Sequence, residues 1–391
     1  MNLKTFTAWV AISAVAPSAA PGQVIYSVTD LGTLGGTYAV PSGINDNGQV
    51  VGSSSTTNDT TTNAFLYSGG KMANLGTLGG WISHAYAINN SGQVVGDAQT
   101  TNLLGHPFLY SGGKMTDLGM IGSAFSINDS GQVVGEVEFT YLNPHAFLYS
   151  GSTMTDLGTF GGSYSCAYGI SNSGQIVGTA ENIVNHEDIF VYRGGVMADL
   201  GWWGAGLAIN TNEQVVGSAS YSGAFLYSGG NITLLGTASF AATAAYAINN
   251  SGQVVGVAFT NSTITIGPRA FLYSGGTLLD LNNLADTNTV GTLEAAYGIN
   301  DSGQIIAQSQ QGRAYLLSLA VPTNSGMSLL WARTSLPALG EVLVLAWTNP
   351  LASLQFAPAV TGPYTNVPGA TSPYVASTSG PQRFFRLQAN Q

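Results

Sequence analysis

The chain carries very little charge. Only 7% of its 391 residues are Asp, Glu, Lys or Arg, against roughly 25% in an average soluble protein. Nine residues are basic, they form no cluster, and the formal net charge is −10. Nucleic-acid backbones and anionic membrane surfaces are both bound through clustered Lys and Arg. The composition therefore argues against both as partners.

Cysteine and long apolar runs are also scarce. Cys166 is the single cysteine, so no intramolecular disulfide can form, and its place in the repeats predicts a small buried side chain. No stretch approaches the ~20 apolar residues of a membrane span. Lys4, a short apolar stretch over 6–15 and small residues after it are typical of a secretory signal peptide. We therefore predict a signal peptide over 1–22 and a secreted or cell-surface location.

Helix-length periodic segments are absent, and short repeated segments take their place. One segment recurs seven times, in steps of 44, 39, 43, 39, 39 and 51 residues. Its copies are INDNGQVVG from Ile44, INNSGQVVG from Ile88, INDSGQVVG from Ile127, ISNSGQIVG from Ile170, INTNEQVVG from Ile209, INNSGQVVG from Ile248 and INDSGQIIA from Ile299.

Two further segments recur seven times in fixed order. The AFLYSGG type begins at Ala64, Pro107, Ala146, Ile189, Ala224, Ala270 and Ala314, and the DLGTLGG type at Asp30, Asn74, Asp117, Asp156, Asp199, Leu234 and Asp280. Turn residues separate short runs of Val, Ile, Phe and Tyr, which favour strands. Each unit therefore reads as four strands of the types AYGIN, QVVG, AFLY and KMTDLG.

Four strands in about 40 residues are typical of a β-propeller blade. A solenoid is the alternative, but solenoids usually have shorter coils and need polar caps. A fourth strand occurs before any first strand, at 27–32, and the last unit ends near Ala320 without one. The sequence thus predicts an all-β fold with a seven-bladed β-propeller of four-stranded blades over 24–320, closed by the N-terminal strand.

The repeated segments resemble the HAF family of extracellular bacterial repeat proteins. The resemblance covers roughly 24–319, and the family's His-Ala-Phe tripeptide is intact at 145–147. At the His position five of the other units hold Asn63, His106, Gly223, Arg269 and Arg313, with Pro107 after His106. The resemblance implies an extracellular bacterial protein with a propeller-like fold, and it implies no catalytic activity.

The pattern changes after Pro322. Residues 321–391 form the third predicted domain, which looks like a small β-sandwich-like end module of secreted bacterial proteins. Its predicted core consists of Trp331, Trp347, Tyr364, Phe384 and Phe385. Whether this module anchors the protein to a cell surface is left open by the sequence.

The strand order predicts two different faces. The tight Ser-Gly turns lie on one face, and the variable loops before AFLY and the connections between units lie on the other. Because loops on a rigid scaffold commonly carry binding residues, we predict a ligand site on the variable face. Its candidate residues are Trp81, Trp202, Trp203, His84, His106 and His145.

No catalytic or metal motif stands out in the sequence. The four His fall in different units, so no metal site is expected, and no cofactor is predicted. Asp97 and Glu136 occupy the same position in neighbouring units, and such a pair could hydrolyse glycosides, although the innermost strands read as small apolar and Asn residues. We predict a monomeric, non-catalytic scaffold that binds a glycan or a protein, with a polysaccharide hydrolase or lyase and a structural envelope component as alternatives.

Overall fold

The computed structural model describes residues 9–12, 25–140, 143–237, 240–260, 267–287, 290–320, 329–336, 340–347, 352–359, 361–377 and 383–389. These residues form β-strands, turns and two 3₁₀ turns, at Thr57–Asp59 and Leu281–Asn283, and they contain no α-helix. The protein is therefore all-β, as predicted.

The strands of the repeat region are short, as the motifs require. In chain order the strands are β1 Trp9–Ile12, β2 Tyr26–Asp30, β3 Gly35–Ile44, β4 Val50–Thr56, β5 Thr62–Ser68, β6 Lys71–Asn74, β7 Gly79–Ile88, β8 Val94–Thr100, β9 Gly105–Ser111, β10 Lys114–Asp117, β11 Gly122–Ile127, β12 Val133–Thr140, β13 Asn143–Ser150, β14 Thr153–Asp156, β15 Gly161–Ile170, β16 Ile176–Asn182, β17 Glu187–Arg193, β18 Val196–Ile209, β19 Val215–Ala219, β20 Gly223–Ser228, β21 Asn231–Leu234, β22 Gly236–Thr237, β23 Phe240–Ile248, β24 Val254–Thr260, β25 Arg269–Ser274, β26 Thr277–Asp280, β27 Leu293–Ile299, β28 Ile305–Ser309 and β29 Ala314–Leu319. The C-terminal strands are β30 Leu330–Leu336, β31 Gly340–Ala346, β32 Ala352–Ala357, β33 Thr365–Asn366, β34 Tyr374–Ser377 and β35 Arg383–Ala389.

The repeat strands form antiparallel groups of four, which we call units 1 to 7. The units are β3–β6, β7–β10, β11–β14, β15–β18, β18–β21, β23–β26 and β27–β29 with β2. The long strand β18 ends unit 4 and begins unit 5, and the short β22 joins unit 6. In unit 7, β2 pairs with β29 from Tyr26 opposite Leu319 to Asp30 opposite Tyr315. The predicted pairing of the N-terminal strand with the last unit is thus confirmed.

The QVVG and AFLY motifs explain how each unit packs. In unit 3 an added Cβ on Gly135 would lie 2.0 Å from the Ser123 carbonyl oxygen and 2.9 Å from the Phe147 ring. Only glycine leaves room there for both the neighbouring strand β11 and the aromatic ring. Phe147 is fully buried, and so are its counterparts in five other units, Phe65, Phe108, Phe190, Phe225 and Phe271.

A ladder of buried asparagines joins the units. The side-chain amide of Asn45, the last residue of the AYGIN-type segment in unit 1, donates to the carbonyl oxygen of Asn89 in unit 2 at 3.0 Å. In unit 7, Asn300 donates to the carbonyl oxygen of Asn45 at 3.0 Å, which links the last unit to the first. The remaining links of this ladder are Asn89 to Asn128, Asn128 to Ser171, Asn210 to Asn249 and Asn249 to Asn300.

The C-terminal strands form two further sheets. One has the order β1-β35-β32-β33 and the other β30-β31-β34. Of the predicted core aromatics, Trp347 and Phe385 are buried, Tyr364 and Phe384 are half-buried, and the Trp331 side chain lies outside the described residues. Trp9–Ile12 pairs with β35. The rest of the predicted signal peptide lies outside the described residues.

The C-terminal sheets pack against units 6 and 7. Val342 and Val344 share a buried apolar cluster with Leu272 of unit 6 and Ile25 beside β2. The Ser274 hydroxyl, also in unit 6, donates to the Pro373 carbonyl oxygen at 2.9 Å. These contacts fix the C-terminal region on the outside of the repeat units.

Candidate functional site

The strand directions give the repeat units two faces. The turns between first and second strands and between third and fourth strands lie on one face, which we call the turn face. The loops between second and third strands and the connections between units lie on the opposite loop face. Nearly all exposed large hydrophobic side chains of the described residues lie on the loop face, and Val196 is the exception. Those on the loop face are Tyr38, Trp81, Leu103, Leu104, Ile121, Ile183, Val184, Trp202, Trp203, Tyr221, Leu234 and Phe259.

The three predicted tryptophans fall on two separate parts of the loop face. Trp81 lies on β7 and is 66% exposed. Trp202 and Trp203 lie on β18, 37% and 48% exposed. The Trp203 ring packs on His186, with ring centroids 4.2 Å apart. The loop that carries His186 is held by a hydrogen bond of 2.6 Å between Asn182 and the buried carboxylate of Asp188.

His106 and His145 have a structural role that the sequence did not reveal. Each Nδ1 contacts an Asp carboxylate on the neighbouring fourth strand, Asp117 at 3.0 Å and Asp156 at 2.9 Å. Two other units have the equivalent pairs Arg269 with Asp280 and Arg313 with Asp30. The His position is therefore a cross-strand partner for the Asp of the Asp-Leu-Gly segment. The structure does not bring His106 and His145 into one site with the tryptophans.

His84 belongs to a different group of side chains, on the first and second strands of units 2 and 3. Its Nδ1 lies 3.4 Å from the carboxylate of Asp97, and its ring stacks with that of Tyr86 at 6.3 Å. Burial raises the pKa of the Tyr86 phenol, and the carboxylates of Asp97 and Glu136 raise it further. The structure therefore places Asp97 and Glu136, from neighbouring units, around one tyrosine.

Glu136 is a carboxylate whose surroundings alter its pKa. Burial raises its pKa, and hydrogen bonds with Tyr164 and Cys166 offset only part of this effect. Its Oε2 atom is buried and makes no hydrogen bond among the described residues. Cys166 is fully buried, as predicted, and burial also raises the pKa of its thiol.

The first strand of each unit lies innermost, and we call these seven strands the inner strands. They line a cavity of about 310 Å³ to which all seven units contribute. One position of the AYGIN-type strand points into it in every unit, as Ser42, Tyr86, Phe125, Tyr168, Leu207, Tyr246 and Tyr297. The expectation of only small apolar and Asn side chains on these strands was wrong, because five of the seven are aromatic. The Tyr of the AYGIN motif was the sequence signal for this aromatic lining. The direction of the Tyr side chain depends on a β-bulge in the inner strand, such as the one between Ala85 and Ala87.

A collar of polar side chains surrounds the cavity at the turn face. It consists of Asp46, Asn90, Asp129, Asn172, Thr211, Asn250 and Asp301. Neighbouring members bond to one another, as when the Asn250 backbone amide and side-chain amide both donate to Asp301. The Asp301 backbone amide in turn donates to Asp46 at 3.0 Å.

Unit 4 departs from this pattern. It holds Ser171 where the other units have the ladder Asn, and the Ser171 hydroxyl bonds within its own unit, to Ser173 and to the Gln175 backbone amide. Gln175 instead donates across the interface to Glu213 of unit 5 at 2.8 Å, and Arg193 forms an ion pair with the same carboxylate. A second cavity of about 510 Å³ lies at this interface.

No group of three His, Cys, Asp or Glu side chains in the described part of the chain is spaced to hold a metal ion. None of its helices is long and apolar enough to cross a membrane.

Comparison with known proteins does not identify a family. No family model and no curated protein matches the chain. Among solved structures, the chain is similar to the Pyrococcus horikoshii acylaminoacyl peptidase, with 10% sequence identity and a TM-score of 0.44 over 81% of this chain. It spans 59% of the length of that peptidase. At this TM-score, the likeness carries no argument about function.

Proposed function

We propose that the seven units form a seven-bladed β-propeller closed by β2. The ladder of asparagine hydrogen bonds supports this proposal, because it links all neighbouring units except units 4 and 5, and its last member, Asn300, bonds to unit 1. The cavity lined by all seven inner strands also fits the axial channel of such a ring.

On this scaffold we propose a secreted, HAF-like, non-catalytic protein that binds a glycan on the loop face. The observation that carries the proposal is the pair Trp202 and Trp203, partly exposed on β18, with the Trp203 ring packed on His186. Indole rings offer flat apolar faces together with an N–H donor, and such faces stack on the apolar sides of sugar rings.

The surroundings of the tryptophans favour a neutral polar ligand. Asp188 is paired with Trp203 across β17 and β18, and Asn182 bonds to Asp188. These two groups bond to each other and hold the loop beside the Trp203 ring, so the ring itself is the contact offered to a ligand. Because the whole chain has only nine basic residues, recognition of a strongly acidic partner is not favoured.

A glycan array probed with the processed protein tests this proposal. We expect the double variant Trp202→Ala/Trp203→Ala to lose about tenfold or more in affinity for the bound glycan, since Trp anchors dominate binding energy. Val196→Ala is the matched control, because Val196 is exposed on the same strand at the turn face. Equal binding by the double variant would place the ligand elsewhere.

The same array separates the alternatives. Binding to a protein and to no glycan would favour a protein partner, and no binding at all would favour a structural component. Asp97 and Glu136 around Tyr86 are the observation that favours a hydrolase. That alternative requires release of reducing ends from a bound polysaccharide.

A further inference from the structure

We propose that the cavity enclosed by the inner strands is a binding site for an organic cation, of the amine or quaternary ammonium class. This site is separate from the tryptophans of the loop face. The inference uses the arrangement of the seven units but does not depend on glycan binding.

The aromatic lining is the first reason. The Phe125 ring centroid lies 5.2 Å from that of Tyr86 and 5.5 Å from that of Tyr168, and Tyr246 and Tyr297 stack at 5.3 Å. The rings form two arcs, which are separated by Leu207 and Ser42. The faces of aromatic rings attract cations, and groups of such rings recognise quaternary ammonium ligands.

The charge of the lining is the second reason. Asp46, Asp129 and Asp301 stand in the collar, and no Lys or Arg is among the described residues that line the cavity. The groups that donate to these carboxylates are neutral backbone and Asn amides, as at Asp129, which accepts from Asn90 and Asn172. The negative charge of the collar is therefore left for a ligand to balance.

The same bonds argue against a neutral sugar in this cavity. The Asn250 backbone amide and its side-chain amide both donate to Asp301. The collar therefore offers a neutral sugar fewer N–H donors than its Asn content suggests. A cation needs no such donors, because ring faces and carboxylates are sufficient.

Size favours an organic cation over a bare metal ion. The cavity volume of about 310 Å³ falls at the lower end of the range for small-molecule pockets. The carboxylates of the described residues are not grouped closely enough to coordinate a metal ion. A ligand with its charge spread over several carbon atoms fits both observations.

Choline and its neutral isostere 3,3-dimethyl-1-butanol provide the test. Both have the same shape, and only choline is charged. In isothermal titration calorimetry of the full processed chain at constant ionic strength, we expect choline to bind about tenfold or more tightly than the isostere. Equal affinities, or no heat with choline, tetramethylammonium or spermidine, would overturn the proposal.

Variants locate the binding to the cavity. Tyr297→Ala should weaken choline binding about tenfold, whereas Tyr297→Phe, which keeps the ring face, should bind nearly as well as the unmodified chain. Asp301→Asn should weaken it several-fold and is compatible with the fold, because units 2 and 6 have Asn90 and Asn250 at this position. Circular dichroism checks the folding of each variant.

The tryptophan variant keeps this proposal distinct from glycan binding. Trp202→Ala/Trp203→Ala should leave the choline affinity unchanged. A loss of choline binding in that variant, or unchanged binding in Tyr297→Ala, would contradict the cavity site whatever the outcome of the glycan array.

Discussion

Glu136 shows how one half-buried side chain couples the stability of the repeat units to pH. It lies on β12 against Tyr164 and Cys166 of the next unit, and burial raises its pKa. Folding therefore favours the uncharged form of Glu136 relative to the unfolded chain. A raised pKa of this kind contributes stability that is fully present below the ordinary Glu pKa of about 4.3 and is lost as the pH rises through the folded-state pKa.

We therefore expect Glu136→Gln, which is neutral at every pH, to raise the melting temperature at about pH 8. The gain should disappear at about pH 3.5, where Glu136 is protonated in both the folded and unfolded states. Thermal unfolding of the two proteins at both pH values measures the effect.

Glu181 is the control for Glu136, because its pKa is shifted in the opposite direction. Hydrogen bonds from the backbone amide and hydroxyl of Ser163 lower its pKa. Its contribution to stability is present above the ordinary Glu pKa and is lost as the pH falls. Glu181→Gln should thus lower the melting temperature at about pH 8. The same direction of change in both Gln variants would contradict this assignment.

The sequence alone predicted few of these residue contacts. It predicted that Cys166 is buried, because the repeats align it with small residues. It placed His84, His106 and His145 together on one face, whereas the structure separates His84 from the two cross-strand pairs. Side-chain direction decides this difference, and the repeat pattern does not encode it directly.

The asparagine ladder links all neighbouring units except units 4 and 5. In unit 6 the Asn249 side chain is buried, accepts from the backbone amides of Ser251 and Gln253, and donates to the Asn300 carbonyl oxygen. One residue therefore holds its own turn and the next unit. The sequence predicted the turn, but the bond to the next unit follows only from the packing of the units.

We expect Asn249→Ser to lower the free energy of unfolding by about 1–3 kcal/mol, because a Ser hydroxyl is too short to reach the next unit and leaves buried groups unpaired. Ser171 in unit 4 shows that the turn itself tolerates Ser. Urea denaturation measures the loss.

The control for the ladder is the neighbouring collar residue. Asn250 is exposed, so Asn250→Ser should cost less than about 1 kcal/mol. Equal costs for the two variants would show that burial of the ladder is not what stabilises the contact between units.

At the scale of the whole molecule, the repeat count and the order of the strands were predictable from the sequence. Seven copies of three motifs gave seven units, and the extra fourth strand at 27–32 indicated that the chain ends meet. The aromatic lining of the cavity was not recognised, because the bulges that turn Tyr86 and its counterparts inward are not visible in the motif. The sequence shows Ser171 in unit 4 where other units have Asn. The bond from Gln175 to Glu213, which joins units 4 and 5 instead, is seen only in the structure.

A cross-link between β2 and β29 measures closure of the repeat units by the N-terminal strand. Ser27 of β2 and Ser318 of β29 are opposite each other, and the Ser27 hydroxyl donates to the Ser318 carbonyl oxygen at 3.1 Å. In a Cys166→Ala background, Ser27→Cys/Ser318→Cys places two cysteines at this pair. The equivalent Ser228 of unit 5 gives the control, Ser27→Cys/Ser228→Cys.

Mass spectrometry after alkylation of the folded protein reads out the result. Closure by β2 predicts a complete disulfide in the Ser27/Ser318 variant, a melting temperature several degrees higher than that of its reduced form, and free thiols in the control. Free thiols in the folded Ser27/Ser318 variant would contradict closure of the seven units by the N-terminal strand.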